Sequence, residues 1–462
     1  MDLHPAEKRV FSTILEHRMI DSGDKIVVAV SGGPDSVCLL KILFQLQRWL
    51  DVSLIVAHLN HGLRPQEDEK ETEFVADLAR GLNLTLAYDK AVNLTKAHGT
   101  SIEEKAREIR YHFLERVLNE YHAQKAALGH NMNDQAETVL MHLLRGSGPT
   151  GLSGMPPIRQ RRFIRPLINI TRDEIHAYLK QKDIPFMMDS SNLEKRYLRN
   201  RLRLELIPLL LNYQPRLIEH LGELASLCRL EDQFMEEEAR KGLQMVTLDS
   251  SEHSLELSLD TFKGLSPALR CRIIRQAIKR VKGDLRRIDI GHIKAIIDLA
   301  DSVRPQIRMN LPQDLIVRKI YERLRFSSGT EIETEDFTHH IIDKGVFKIP
   351  EINRTLSLEE IPKGDFLPSS ASPNEAFLDL ARLKWPLRVR NFRAGDKFIP
   401  LGLNGFKKVK DVFIDEKIPS EERKKIPILE NCSSIVWLCG IRIDNRYRVR
   451  QRTRRILRCK IE

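Results

Sequence analysis

Ser31-Gly32-Gly33-Pro34-Asp35-Ser36 combines the residue types and spacing from which an anion cradle is built. It follows the β-branched run Ile26-Val27-Val28-Ala29-Val30 and precedes a stretch with apolar residues at Leu39, Leu40, Leu43 and Leu46, a helical spacing. The two glycines let the backbone turn tightly and approach a ligand closely. A helix starting near Asp35 or Ser36 offers unpaired N–H groups and the positive end of its dipole, and Ser31 and Ser36 add hydroxyl donors. The loop is not a Walker loop, since Gly-Lys occurs nowhere in the chain, and the dinucleotide fingerprint GxGxxG is absent from it. An acid inside a phosphate cradle repels the anion unless it holds a magnesium ion or orients a departing pyrophosphate, so Asp35 is a candidate for either task. The plainer reading is a strand–turn–helix junction with Asp35 as N-cap.

A second constellation follows the strand candidate Ala126-Ala127-Leu128. Asp134 and Glu137 are three apart on one helix face, where they could bind a cationic amine, hold magnesium or accept a proton, or form a solvated acidic face. His58 and His130 each follow a strand end and are candidates to contact a nucleotide, or are structural. Arg107 and Arg110 either neutralise phosphates or pair with Glu103 and Glu104; pairing is preferred for at least one of them. Arg199, Arg201 and Arg203, with Lys195 and Arg196, form a basic run without an intervening acid. Arg446, Arg448, Arg450 and Arg452 alternate, which predicts a strand with one arginine-lined face suited to a phosphate backbone; a solvated basic tail is the alternative.

The elements that must position these groups are legible from hydrophobic pattern. Strands are expected at 26–30, 54–57, 84–87 and 126–128, and helices at 37–50, 67–82, 101–121 and 134–145, with another capped by Thr171-Arg172-Asp173-Glu174. Such alternation predicts an α/β, doubly wound, mostly parallel Rossmann-like domain over residues 1–210. A mainly helical middle domain is expected over 211–325, a polar linker over 326–375, and a small basic α+β domain over 376–462 that binds nucleic acid.

A net charge of +11 over 462 residues favours a polyanionic partner, with nucleic acid ahead of an anionic membrane surface. The six cysteines are scattered without a CxxC pair, which argues against a zinc ribbon or a dense disulfide framework and suits a cytoplasmic protein. The polar N-terminus reads as no signal peptide, and no apolar run approaches the ~18 residues of a membrane span. Oligomeric state is left open, a homodimer being compatible with the sequence.

The six-residue loop resembles the SGGxDS signature of the PP-loop ATP pyrophosphatases, which cleave ATP between the α and β phosphates. Further segments narrow the resemblance: His58-Leu59-Asn60-His61-Gly62-Leu63-Arg64, Gly129-His130-Asn131, Asp134-Gln135-Ala136-Glu137-Thr138, Arg145-Gly146-Ser147-Gly148, Asp189-Ser190-Ser191-Asn192, Arg199-Asn200-Arg201-Leu202-Arg203 and Gly395-Asp396-Lys397-Phe398. In this order the series resembles the tRNA(Ile)-lysidine synthase family. The resemblance implies a ligase whose substrates are ATP, free L-lysine and an isoleucine tRNA with a CAU anticodon, with magnesium as cofactor. ATP adenylates C2 of the wobble cytidine, and the lysine ε-amine then displaces AMP to form lysidine. It implies ATP contacts from Ser31, Gly32, Gly33, Pro34, Asp35, Ser36, His58 and His130, lysine contacts from Asp134 and Glu137, catalytic work by Asp35, Asp134 and Glu137, and tRNA contacts from Arg64, Arg199, Arg201, Arg203, Arg446, Arg448 and Arg450. Two competing readings remain at this point: a PP-loop tRNA thiolase, disfavoured by the lack of CxxC, and a non-catalytic nucleotide-regulated RNA-binding protein, disfavoured by acids in the crevice.

Overall fold

The computed structural model describes residues 3–60, 62, 65–91, 102–187, 198–329, 334–363 and 372–462. Arg64, the Asp189–Asn192 motif, Lys195 and Arg196 lie outside the described residues, as do the side chains of Glu103 and Glu104. The chain forms two compact units, Met1–Glu236 and Glu237–Glu462.

In the first unit α1 (Pro5–Glu16) is followed by β1 (Lys25–Ala29), α2 (Pro34–Leu50), β2 (Ser53–Asn60), α3 (Pro65–Gly81), β3 (Thr85–Lys90), α4 (Ile102–Glu120), β4 (Lys125–Ala127) and α5 (Met132–Leu144). Next come α6 (Pro149–Leu152), β5 (Ile158–Arg159), β6 (Phe163–Ile164) and α7 (Arg172–Gln181). The unit closes with α8 (Leu198–Arg201), a π-helical turn at Leu202–Leu206, α9 (Ile207–Leu211) and the first part of α10 (Leu217–Val246). The sheet order is β3-β2-β1-β4-β6-β5, parallel from β3 to β6 with β5 antiparallel at the edge. The four strands and five helices expected from sequence are present within a few residues of their expected bounds; the two-residue strands β5 and β6 were too short for periodicity to mark.

The continuous apolar run of β1 is explained by burial on both faces. Ile26 and Val28 pack into one core with Leu40 and Leu43 of α2 and Ile175 of α7. Val27 packs into the opposite core with Phe113, Leu114 and Val117 of α4. Each such aliphatic side chain contributes roughly 1.5–3 kcal/mol on burial. The strand order reverses at β1, with β2 on one side and β4 on the other. That is the switch point at which an open α/β sheet leaves a crevice beyond its carboxyl ends.

The second unit begins with its share of α10. The helices Pro267–Lys282 and Ile290–Asp301 follow, and beside them stands a five-stranded antiparallel sheet running Thr247–Ser250, Ser254–Ser258, Arg323–Ser328, Leu315–Ile320, Gln306–Leu311. Leu257, Phe262, Ile274, Ile278 and Phe326 fill the core of this part. A further five-stranded and a four-stranded antiparallel sheet share a core around Leu356, Leu378, Val389, Trp437 and Leu457. Residues 326–375, read from sequence as polar and irregular, hold three of these strands, Thr338–Ile341, Gly345–Ile349 and Arg354–Pro362. Their polar residues alternate with buried ones such as Leu356 and Leu358, a short-period signal that turn-forming neighbours obscure.

Candidate active site

The cradle is the turn from β1 into α2. Gly32 takes φ +86°, a conformation that disfavours any side chain. Gly33 is the N-cap of α2 and Pro34 opens its first turn. Asp35 is therefore not the N-cap, contrary to the plainer sequence reading: it sits one residue inside the helix, where its carboxylate is not needed for capping. The first bond of the α2 ladder runs from Val37 N–H to Gly33 O at 3.0 Å, which leaves the N–H groups of Asp35 and Ser36 outside that ladder. Ser36 differs from expectation. Its buried hydroxyl donates to Gly33 O at 3.0 Å and accepts from Ser31 N–H at 3.1 Å, so it braces the loop and does not project from it. Ser31 is exposed, with its Oγ 3.3 Å from that of Ser36.

The second wall follows β4. A Cβ at Gly129 would lie 3.2 Å from Asp35 C and from Ser36 N, so glycine allows this chain to close on the start of α2. Asn131 then caps α5: its Oδ1 accepts from Asp134 N–H at 3.0 Å while Asp134 Oδ2 accepts from Asn131 N–H at 3.1 Å. The free end of the same amide, Asn131 Nδ2, donates to Asp35 Oδ1 at 3.0 Å. Burial raises the Asp35 carboxyl above its ordinary range, and the charge of Asp134 adds to this, against Arg172, Asn131 and Arg203.

Asp134 and Glu137 are both buried, which removes the reading of a solvated acidic face. Glu137 is 1% exposed and receives Arg199 Nε at 2.7 Å and Arg203 Nε at 2.7 Å, with Arg203 Nη2 at 3.1 Å. Asp134 Oδ1 lies 3.4 Å from Nη2 of Arg199 and of Arg203, and 3.7 Å from Arg172 Nη2. Arg199 and Arg203, assigned to tRNA by their sequence context, are thus turned onto the acids assigned to lysine. Their four-residue spacing across α8 and the π-helical turn lets both reach Glu137. Arg201, between them, is exposed and lies 3.8 Å from Glu205.

The two histidines differ. His58 is buried, with Nδ1 donating to Val30 O at 2.8 Å and Nε2 3.2 Å from Thr72 Oγ1. Burial lowers its pKa, and with both ring nitrogens engaged it has the geometry of a structural histidine. His130 lies across β1 from it, and its Nδ1 accepts from Arg165 Nε at 3.2 Å. Burial, reinforced by Arg165, Arg199, Arg110 and Arg107, holds His130 well below the ordinary histidine range. It is neutral at pH 7 and keeps its proton on Nε2 as a donor. Arg165 is 1% exposed and also bonds Pro156 O at 2.6 Å and the Tyr111 hydroxyl at 3.4 Å. Arg159 and Arg107 lie 4.7 and 5.7 Å from the Tyr111 ring centroid. Sequence reasoning assigned no role to Asn131, Arg165 or Arg172. The capping pattern Asn131-x-x-Asp134 was readable; the convergence of the two arginines has no local signal.

The C-terminal basic run departs from expectation. Asn445–Tyr447 is a 3-10 turn and 449–454 is irregular, so Arg446 to Arg452 do not form an arginine-faced strand. The alternation is interrupted because Arg446 folds back on the fully buried Asp444, at 2.9 and 3.0 Å. Arg448, Arg450, Arg452 and Arg454 are exposed, and among the described residues they make no side-chain ion pair.

A cradle at the switch point of a doubly wound sheet, with an acid inside it, defines a PP-loop ATP-using enzyme. A PP-loop domain model matches residues 4–210, a TilS substrate binding domain model residues 257–325, and a TilS substrate C-terminal domain model residues 387–459. The chain is 33% identical over 455 residues to a tRNA(Ile)-lysidine synthase of Clostridioides difficile (strain 630), covering 97% of this chain and 98% of that relative. It is 36% identical over 475 residues to one of Symbiobacterium thermophilum, covering 99% and 98%. Among solved structures, a U34-tRNA thiolase NcsA from Methanococcus maripaludis aligns with TM-score 0.42 and 19% identity over 48% of this chain and 78% of that one. The chain belongs to the tRNA(Ile)-lysidine synthase family.

Proposed function

We propose that this enzyme uses ATP to adenylate the C2 carbonyl oxygen of the wobble cytidine in an isoleucine tRNA with a CAU anticodon, releasing pyrophosphate, and that the ε-amine of free lysine then attacks C2 and expels AMP. The observation that carries this reading is the near full-length match to lysidine synthases. The geometry supports it: the phosphate cradle and the buried acids adjoin at one crevice, joined through Asn131.

Backbone N–H groups at the start of α2 bind phosphate oxygens, and Gly32 and Gly33 allow the close approach. The donor set fits magnesium held mainly through substrate phosphates and water. Asp35 offers one carboxylate at the cradle, and among the described residues no cluster of three or more His, Cys, Asp or Glu side chains forms a cage. Asp35 would hold the ion, which supplies neutralisation of the phosphate charge when bound. Neutral His130 is a donor for the nucleotide or for the developing charge. Lysine carries a proton to about pKa 10.4 in water, so its amine must be deprotonated to attack. Asp134 and Glu137 receive the lysine cation and its proton. Because Arg199 and Arg203 occupy these acids here, lysine entry requires a guanidinium to give way, which frees it for an RNA phosphate. The exposed Arg448 and Arg450, with Arg201, are assigned to the tRNA backbone. Among the described residues no helix is long and apolar enough to cross a membrane, and six unpaired thiols suit the cytoplasm.

The test is transfer of labelled lysine to an unmodified isoleucine tRNA transcript. Product should require ATP, lysine and this tRNA, with one pyrophosphate released per lysidine and no sulfur donor. Failure to label the transcript under these conditions would sink the reading.

A further inference from the structure

We infer that Asn131 is a positioning residue for the adenylation step, holding the Asp35 carboxylate in the cradle from the cap of the helix that carries Asp134 and Glu137. The inference rests on the proposed role of Asp35 in handling ATP. Asn131 is 0% exposed, so no bulk water competes for its amide. Its orientation is fixed by its partners. Oδ1 must face the Asp134 N–H at 3.0 Å, and this directs Nδ2 to Asp35 Oδ1 at 3.0 Å. A flipped amide would set donor against donor at the helix and acceptor against acceptor at Asp35.

Capping alone does not call for asparagine. Serine, threonine and aspartate accept the same helical N–H about as well. Of the good caps, only asparagine accepts that bond and also presents an N–H on the other arm of the same group. The approach of Gly129 to Asp35 and Ser36 places the amide within reach, at a spacing that a larger residue at 129 would open. With Oδ1 fixed by Asn131, the Asp35 carboxylate is held in one orientation, leaving Oδ2 for the ligand. One side chain therefore sets the geometry of the nucleotide half of the site from the first turn of the lysine half.

The test uses the full-length chain with Asn131→Ser and Asn131→Asp, both of which keep an acceptor at the cap. Melting should match wild type in Asn131→Ser and fall in Asn131→Asp, which buries a further carboxylate beside Asp35 and Asp134. In Asn131→Ser, kcat for lysine transfer should fall by about 10–100-fold, the usual cost of losing an orienting partner, with KM for lysine within about 3-fold. Asn131→Asp, which sets carboxylate against carboxylate, should fall further. The Kd for ATP with magnesium is titrated calorimetrically without lysine or tRNA. It should shift in Asn131→Ser in the same direction as in Asp35→Asn, and no further in the double variant. Wild-type kcat and Kd in Asn131→Ser would overturn the inference, as would a Kd shift that adds in full to that of Asp35→Asn. Loss of the fold in both Asn131 variants would also overturn it, since the amide would then serve the fold. A wild type that binds ATP but transfers no lysine would instead defeat the functional reading, while the titrations still read the Asn131–Asp35 link.

Discussion

Two arginine-rich regions of this molecule use the same side chain in opposite ways. Around α5, Arg199 and Arg203 are turned inward onto the buried Glu137, and their charge is largely consumed there. In the C-terminal run, Arg446 is consumed in the same way by Asp444, while Arg448, Arg450, Arg452 and Arg454 remain exposed. A basic stretch in sequence is therefore not a basic surface. What decides is whether a buried carboxylate, brought from elsewhere in the chain, meets each guanidinium. The buried pairs fix geometry at a high cost of disruption; the exposed arginines keep their full field for a polyanion.

The largest effect should come from Asp35, where the comparison is between chemistry and binding. Asp35→Asn should lower lysine transfer by about 10²–10³-fold, the loss typical of removing one preorganised charge-handling group. Filter binding should find tRNA affinity within about 2-fold, and melting should be nearly unchanged because Gly33 and not Asp35 is the cap. Near-normal turnover in a folded variant would remove Asp35 from the mechanism.

Next in size is the buried pair. Glu137→Gln leaves two guanidiniums facing a neutral amide, and urea melting should show a loss of about 3 kcal/mol. The KM for lysine should rise while ATP affinity holds. A variant with wild-type stability and wild-type lysine kinetics would mean that Arg199 and Arg203 find their counter-charge elsewhere and that Glu137 is not part of the amine site.

These two sites mark where sequence reasoning reached and where it stopped. The sheet was legible because Ile26 to Val30 is apolar at every position, and the cradle because glycine at 32 has few physical explanations. Asp134 and Glu137 were found as a pair by helical spacing. Their partners were not, because Arg199 and Arg203 are more than 60 residues away in the chain and carry no local mark of facing inward. The same blindness produced the arginine-faced strand: alternation from Arg446 to Arg452 is a sound signal only if no buried acid intervenes, and Asp444 does. Ser36 was read as a ligand donor because its type fits, whereas its hydroxyl is spent on Gly33 O and Ser31 N–H inside the loop.

The C-terminal run offers a finer test, since neighbours should separate. Arg448→Ala with Arg450→Ala should flatten the salt dependence of tRNA binding by roughly one log–log unit per lost contact, with stability changed by less than about 0.5 kcal/mol. Arg446→Ala should do the reverse: lower the melting temperature by uncovering Asp444 and leave the salt slope unchanged. If the double variant and Arg446→Ala behave alike, pairing does not sort this run.

The smallest effect is a pH dependence that separates His130 from the acids around it. Burial and the arginines at 165, 199, 110 and 107 hold His130 well below the ordinary histidine range in the folded protein. In the unfolded chain it titrates near 6.5. Between those two values the unfolded chain binds a proton that the folded one refuses, so stability is present in full above about pH 6.5 and is lost as pH falls below it. His58, also lowered by burial, adds a change of the same sign. The melting temperature should accordingly fall between pH 7.5 and 5.5. His130→Asn, whose Oδ1 can still accept from Arg165 Nε, should fall less over the same interval. Subtracting the two curves removes His58 and the carboxylates, which titrate in both proteins. Superimposable curves would show that His130 takes up its proton normally when folded. It would then bring a positive charge into a cluster of arginines, and the neutral Nε2 donor assigned to it at the crevice would have to be abandoned.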